Sequence, residues 1–217
     1  MVINFSLIIS FMPVLLLALG QTLAVTACSL VVGFSLGTLF GLVQARGPRS
    51  LAFAVNVYAT LFRGTPMLVQ IAFIFFFLPT LGIALSSFSA AALAIGLNSA
   101  AYVSQIVRSG VNGVSQEELD AAQVLGFSSL QTALFLVLPQ ALRNVLPSLT
   151  NECITLLKDS SLASTIGVHE VYKESRGLLN QSYDVVTVFF MIAAVYLLLT
   201  SIIAGLSHFL EKKLRYQ

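Results

Sequence analysis

Long uncharged stretches dominate the chain, and short polar segments punctuate them. No Asp, Glu, Lys or Arg falls between Met1 and Ala45, between Gly64 and Val107, or between Val185 and Leu210. Each run exceeds the ~20 apolar residues that a helix needs to cross ~30 Å of hydrocarbon. The pattern predicts a first span over about residues 11–43, ended by Arg46-Gly47-Pro48-Arg49, which joins turn residues to two cations. A second span covers about 51–79 and is interrupted by Arg63-Gly64-Thr65-Pro66. After a short uncharged turn from Pro79 to Ser87, a third runs from about Phe88 to Val107. A polar stretch from Arg108 to about Leu130 leads to a fourth apolar segment, about 132–157. It carries Pro139, Arg143, Pro147 and Glu152 and is expected to be kinked or broken. A polar loop over 158–184 precedes a fifth span, about 185–210.

Composition agrees. Of the 217 residues, 57% are hydrophobic and 9% charged, with a mean hydropathy of +0.92. A soluble domain carries about 25% charge, so disorder, a secreted disulfide scaffold and an ordinary cytosolic enzyme are excluded. The net charge of +2 is too small to imply nucleic-acid binding. The amino terminus lacks the basic start of a cleaved signal peptide. Cys28 and Cys153 lie in apolar sequence and are expected to be buried small hydrophobes, with a disulfide as the alternative. Phe is abundant at 16 and Trp absent, so Tyr and Phe must supply any interfacial belt.

Charge also sets an orientation. Arg46, Arg49, Arg108, Arg143, Lys212, Lys213 and Arg215 fall on one side of a five-span layout. On the other side, Lys158, Lys173 and Arg176 are balanced by Asp159, Glu170, Glu174 and Asp184. The positive-inside rule then puts the amino terminus outside and the carboxyl terminus in the cytoplasm.

Several polar groups stand out at membrane depth. A charge at helix-centre depth costs about 2.5–3.5 kcal/mol on insertion scales, so Arg63 either lines a cavity or snorkels to an interface. Gly64-Thr65-Pro66 breaks the backbone ladder, and broken helices of this kind form midplane sites in transporters. Glu152 and Asp159 are seven apart, which places them on one helix face. Lys158 can pair with only one of them, so a carboxylate is left over that suits a cationic ligand. Gln70, Asn98 and Tyr102 are uncharged polar groups on the second and third spans; all three read alternatively as glue between helices, Gln70 equally so.

Residues 115–139 predict a short helix across the membrane surface. Ser115 and Glu118 have capping-box spacing, and Glu117 and Asp120 load the positive end. Ala121 and Ala122 give a small-residue face, Gly126 stops the helix, and Ser128 or Ser129 caps the next. An amphipathic interfacial connector would look similar.

Asp120-Ala121-Ala122, three residues, Gly126, nine residues, then Leu136-Val137-Leu138-Pro139 resembles the EAA signature of bacterial ABC importer permeases, with Asp for Glu and Leu for Ile. Phe62-Arg63-Gly64-Thr65-Pro66, Asn98-Ser99-Ala100-Ala101-Tyr102, Pro139-Gln140-Ala141-Leu142-Arg143 and Lys158-Asp159-Ser160-Ser161-Leu162 are similar to the polar amino acid subgroup. The resemblance covers nearly the whole chain. It implies an all-α integral membrane protein of the type I permease fold, one domain over 1–217, with about five transmembrane helices and a cytoplasmic coupling helix in the loop 115–129. It also implies a bacterial inner-membrane location and three kinds of partner: a second permease copy or a similar permease, a cytoplasmic ATPase dimer, and an extracytoplasmic binding protein. No cofactor is expected in this chain. No lysine follows a glycine, so the P-loop that holds ATP and Mg must lie on another polypeptide, and the chain itself is not expected to be an enzyme.

The leading function is therefore import of a polar amino acid by alternating access, coupled through Glu117, Asp120, Ala121, Ala122 and Gly126. A passive channel would need a continuous polar lining and no docking helix. A membrane-embedded enzyme would need HExxH, GxSxG or paired histidines, and His169 and His208 are isolated. Within the importer reading, the expected substrate-contacting residues are Arg63, Thr65, Gln70, Asn98, Tyr102, Glu152, Lys158 and Asp159. Arg63 can grip a carboxylate, Asn98 or Asp159 can accept from the ammonium, and Glu152 is free for a cationic side chain. Glu at that position resembles systems for arginine, lysine or histidine; glutamine or glutamate is the alternative. No metal site is expected.

Overall fold

In the computed structural model, which describes residues 3–215 and side chains as far as Lys212, every regular element is helical. Lys213 and Arg215, two of the cations that set the orientation, have side chains outside that range. Helix α1 (Phe5–Arg46) is capped by Asn4 and runs 42 residues, about 63 Å at 1.5 Å per residue. Helices α2 (Arg49–Gly64) and α3 (Met67–Phe77) flank the Thr65-Pro66 break, and a 3-10 turn extends α3 to Leu81. Helix α4 (Ser87–Asn112) follows a Ser86 cap. The surface helix α5 (Gln116–Val124) and a single turn, α6 (Ser129–Gln131), lead into α7 (Leu138–Asp159). Helices α8 (Val171–Ser182) and α9 (Val185–Arg215) complete the chain.

Among the described residues, three helices are long and apolar enough to span a membrane, α1, α4 and α9. The pair α2 and α3, bent by 104°, makes a fourth if taken as one span. The expected fourth span, about 132–157, falls largely on α7. Its 22 residues include Arg143, Glu152, Lys158 and Asp159, and it is too polar to qualify on apolar character.

The fourth segment was expected to be kinked or broken, and a break is not what forms. Instead it is continuous: a π-helical stretch, Thr132–Val137, leads into α7, and Leu138 N–H reaches Ala133 O. The wider π turn lies immediately before Pro139, whose ring would otherwise crowd a tight α turn. The expected polar loop over 158–184 is largely helical. A 3-10 helix spans Ser160–Ile166, and the buried Glu170 caps α8 by accepting from Tyr172 N at 2.8 Å and Lys173 N at 2.6 Å.

The core is built on close packing of α1 against α4. Thr22, Val25, Thr26, Ser29, Gly33, Gly37 and Gly41 are buried along one face of α1. A Cβ on Gly33 would stand 2.7 Å from Ser99 Cβ, one on Gly37 2.5 Å from Val103 Cβ, and one on Gly41 2.7 Å from Val107 Cβ. Both helices advance by four residues per contact, so they run parallel, as small-residue faces allow within a membrane. Cys28 lies on the opposite, exposed face of α1, which corrects the expectation that it is buried; Cys153 is half-buried, and both thiols are free.

Candidate functional site

Pro66 has no N–H, so the carbonyl of Phe62, four residues earlier, loses its helical donor. Two amides replace it. Gln70 Nε2 donates to Phe62 O at 2.7 Å, and Asn98 Nδ2 donates to the same oxygen at 3.0 Å. Gln70 Nε2 also lies 3.1 Å from Thr65 O and 2.7 Å from Thr65 Oγ1, while its own oxygen accepts from Asn98 Nδ2 at 2.9 Å. Thr65 Oγ1 in turn donates to Leu61 O at 2.9 Å. The break is thus a closed polar knot in which Gln70 and Asn98 are both buried.

The sequence expectation for Gln70, Asn98 and Thr65 was substrate contact, with helix glue as the other reading of Gln70 and Asn98. The structure commits the amide nitrogens of Gln70 and Asn98 to the backbone break and leaves the Asn98 carbonyl as an acceptor. Arg63 projects from the same break, exposed, with its guanidinium carbon 5.3 Å from the centroid of the Tyr102 ring. That contact holds the charge against α4.

One residue from Asn98, Ser99 Oγ donates to Glu152 Oε1 at 2.7 Å. Helix α4 therefore touches the broken pair through Asn98 and Tyr102, where Arg63, Thr65 and Gln70 gather, and touches Glu152 of α7 through Ser99. Asp159 is half-buried two turns along α7, and Lys158 is exposed. Among the described residues no ion pair within 4.0 Å joins Lys158 to Glu152 or Asp159; the one such contact is His169 with Glu174. Ser99 was missed by sequence reasoning. No local signal marks it, because its partner lies 53 residues away on α7.

The coupling candidates lie at the other end of α4. Ser115 Oγ accepts from Glu118 N at 3.3 Å, the forward half of the expected capping box, and the fully reciprocal box forms at Ser128 and Gln131. Glu117, Asp120 and Ala121 are exposed, whereas Ala122 is buried against its own chain. Gly126 sits at φ +80°; its N–H bonds Gln123 O at 2.9 Å and Phe127 N bonds Ala122 O at 3.0 Å. This is the two-bond Schellman stop of a helix, with glycine where it is needed. On either side of it Val124, Leu125 and Leu130 are largely exposed.

No group of three or more His, Cys, Asp or Glu that could hold a metal occurs among the described residues.

Residues 33–216 match the family model described as the binding-protein-dependent transport system inner membrane component. The chain is 34% identical to a putative glutamine transport system permease protein of Rickettsia bellii, over 97% of this chain and 98% of that one. It is 33% identical to the arginine transport system permease protein of Bacillus subtilis, over 98% of each. Among solved structures, an amino acid ABC transporter crystallised with histidines superposes with a TM-score of 0.90 at 29% identity, covering 98% of this chain and all of that one.

Proposed function

The chain belongs to the family of binding-protein-dependent transport system inner membrane components, and from that premise we propose that it carries basic L-amino acids as the permease of an ATP-driven importer. The coarser statement stands without proposal: it is an inner-membrane amino acid ABC importer permease. Membership implies a binding protein and a separate ATPase as partners.

The observation that carries the substrate class is Glu152. It is half-buried, held in place by Ser99, and has no cationic partner within 4.0 Å among the described residues. A fixed carboxylate at that depth is best matched by a cation that arrives with the cargo. On the other side of α4, Arg63 over Tyr102 offers a fork for the cargo's carboxylate, and the Asn98 carbonyl and Asp159 offer acceptors for its ammonium. Lys158 tempers the charge of Asp159. Two such permeases, identical or similar, enclose the path, and ATP binding on the partner turns the site outward.

The coupling surface in this reading is α5, with Glu117, Asp120 and Ala121 outward and Gly126 fixing the turn. The α5 end carries Arg46, Arg49, Arg108 and Arg143, which supports placing it in the cytoplasm and the amino terminus outside.

The test is uptake by proteoliposomes holding the permease, its ATPase and its binding protein, with arginine and glutamine compared. A desolvated charge-assisted hydrogen bond is worth about 1.5–3 kcal/mol, so Glu152→Gln should lower affinity for arginine about ten- to hundredfold and spare glutamine. Equal losses for both would refute the basic preference. A glutamine-preferring wild type would place the chain with the relatives named for glutamine.

A further inference from the structure

Below Glu152, α4 and α7 continue towards the α5 end as two facing rows of polar side chains that the substrate reading does not use. On α4, Asn98 and Tyr102 are followed by Gln105 and Ser109, at steps of four, three and four, which keep one helix face. On α7, running the other way, Glu152 is followed by Ser148 and Asn144 at steps of four. Two pins align the rows. Ser99 bonds Glu152 at one end, and at the other a Cβ on Gly110 would stand 2.2 Å from Val145 Cγ1.

Between the rows lies a cavity of about 440 Å³, lined by Gln105, Ser109, Asn144 and Ser148, with Ile106 and Val145 as its main apolar wall. That volume falls in the range of small-ligand sites. The lining holds no carboxylate and no cation. Gln105 bonds Gln44 and Ser104 at 3.1 and 3.3 Å, which fixes the amide at the cavity rim.

We propose that this cavity is a release site: a second, weaker station where the transported amino acid is held through neutral hydrogen bonds after leaving Glu152. The inference rests on the importer reading above. Hydroxyls and amides donate to a carboxylate and accept from an ammonium equally, so the whole amino acid class fits. Such bonds contribute about 0.5–1.5 kcal/mol each against about 1.5–3 for those to charged groups. Cargo that steps from the Glu152 level to this one loses its charged partners and gains no replacement. It is held too weakly to stay, and the step favours exit to water.

The experiment uses the assembled, nucleotide-free importer in proteoliposomes. Cys28→Ser and Cys153→Ala remove the native thiols, and Ser109→Cys or Ser148→Cys supplies one new one. A charged methanethiosulfonate reagent is added from the ATPase side with and without arginine or glutamine. Both cysteines should label, and millimolar arginine should slow labelling at least about threefold, half-protecting at a concentration at least about tenfold above that needed at the Glu152 site. Ser148→Phe, which fills the cavity, should cut uptake about tenfold or more while ATPase activity persists. Labelling indifferent to amino acid overturns the release site. So does a Ser109→Cys disulfide between two permease copies, which would make this face an interface. Absence of arginine uptake by the unsubstituted complex overturns the proposed basic cargo, whereas normal uptake with unprotected cysteines overturns only the release site.

Discussion

Asn98 donates its side-chain amide to the backbone carbonyl of Phe62 at 3.0 Å, replacing from another helix the donor that Pro66 lacks. A polar side chain of α4 thus completes the backbone of α2, and the 104° bend between α2 and α3 leaves that carbonyl paired. Asn98→Leu keeps the branched outline of the side chain and removes the donor. Gln70 then serves Phe62 O alone, and its own carbonyl loses a partner. Such a loss costs about 1–3 kcal/mol. Thermal unfolding of the purified protein in mild detergent should show a clear drop, and an unchanged midpoint would mean that Gln70 suffices.

The α1–α4 contact predicts a sharp difference between glycines. Gly37→Ala puts a methyl 2.5 Å from Val103 Cβ, and overpacking of this kind costs about 1–3 kcal/mol. Gly205→Ala in α9 meets nothing within 4 Å and gains helix propensity. The yield of folded protein should fall for the first and hold or rise for the second. Equal behaviour would argue against the tight parallel packing.

At Gly126 the cost is conformational. No atom lies within 4 Å of an added Cβ, yet φ is +80°, where an L residue loses about 1–2 kcal/mol. Gly126→Val should leave the protein in the membrane and abolish the stimulation of ATP hydrolysis by the loaded binding protein. Gly126→Asn, which tolerates that region, should restore part of it. Normal stimulation in the valine variant would remove α5 from the coupling role.

Glu170 provides a pH dependence. Burial pushes its carboxyl above the ordinary 4.5, although bonds from Tyr172 N, Lys173 N and the Tyr196 hydroxyl oppose the shift. An acid with a raised folded pKa binds its proton more tightly when folded. Its stabilising contribution is therefore full below about 4.5 and is lost as pH rises through the raised value. Hydrogen exchange at residues 171–175, corrected for intrinsic rates, should report greater protection near pH 5 than near pH 8. Glu170→Gln should flatten that dependence, and an unchanged slope would assign it elsewhere.

Orientation has a direct check. With Cys28 and Cys153 replaced, a cysteine at Ser87 should react with an impermeant reagent added outside, and one at Gln123 only after the membrane is opened. The reverse pattern would invert the topology.

Much of this was legible in the sequence because membranes write simple rules. Charge-free runs located α1, α4 and α9, and Pro66 located the break. The Gly126 stop followed from local backbone chemistry. What stayed hidden depended on partners distant in the chain. Gln70 and Asn98 look alike whether they meet a ligand or a carbonyl, and only the fold puts Phe62 O within reach of both. Helix α8 was hidden because its cap, Glu170, is satisfied partly from α9, and Val171 N bonds Thr22 Oγ1 of α1 at 3.1 Å. Ser99 was passed over because its partner, Glu152, lies 53 residues away on α7.

The recessed glycines of α1 carry a mechanical consequence. Ser99, Val103 and Val107 sit opposite Gly33, Gly37 and Gly41 like teeth in sockets, with no long side chain between them to act as a spring. Sliding to the next fit requires a jump of four residues, about 6 Å, all at once. The two helices therefore travel as one strut, and the stroke of the transport cycle must be taken up where the gearing is looser, along the seam between α4 and α7.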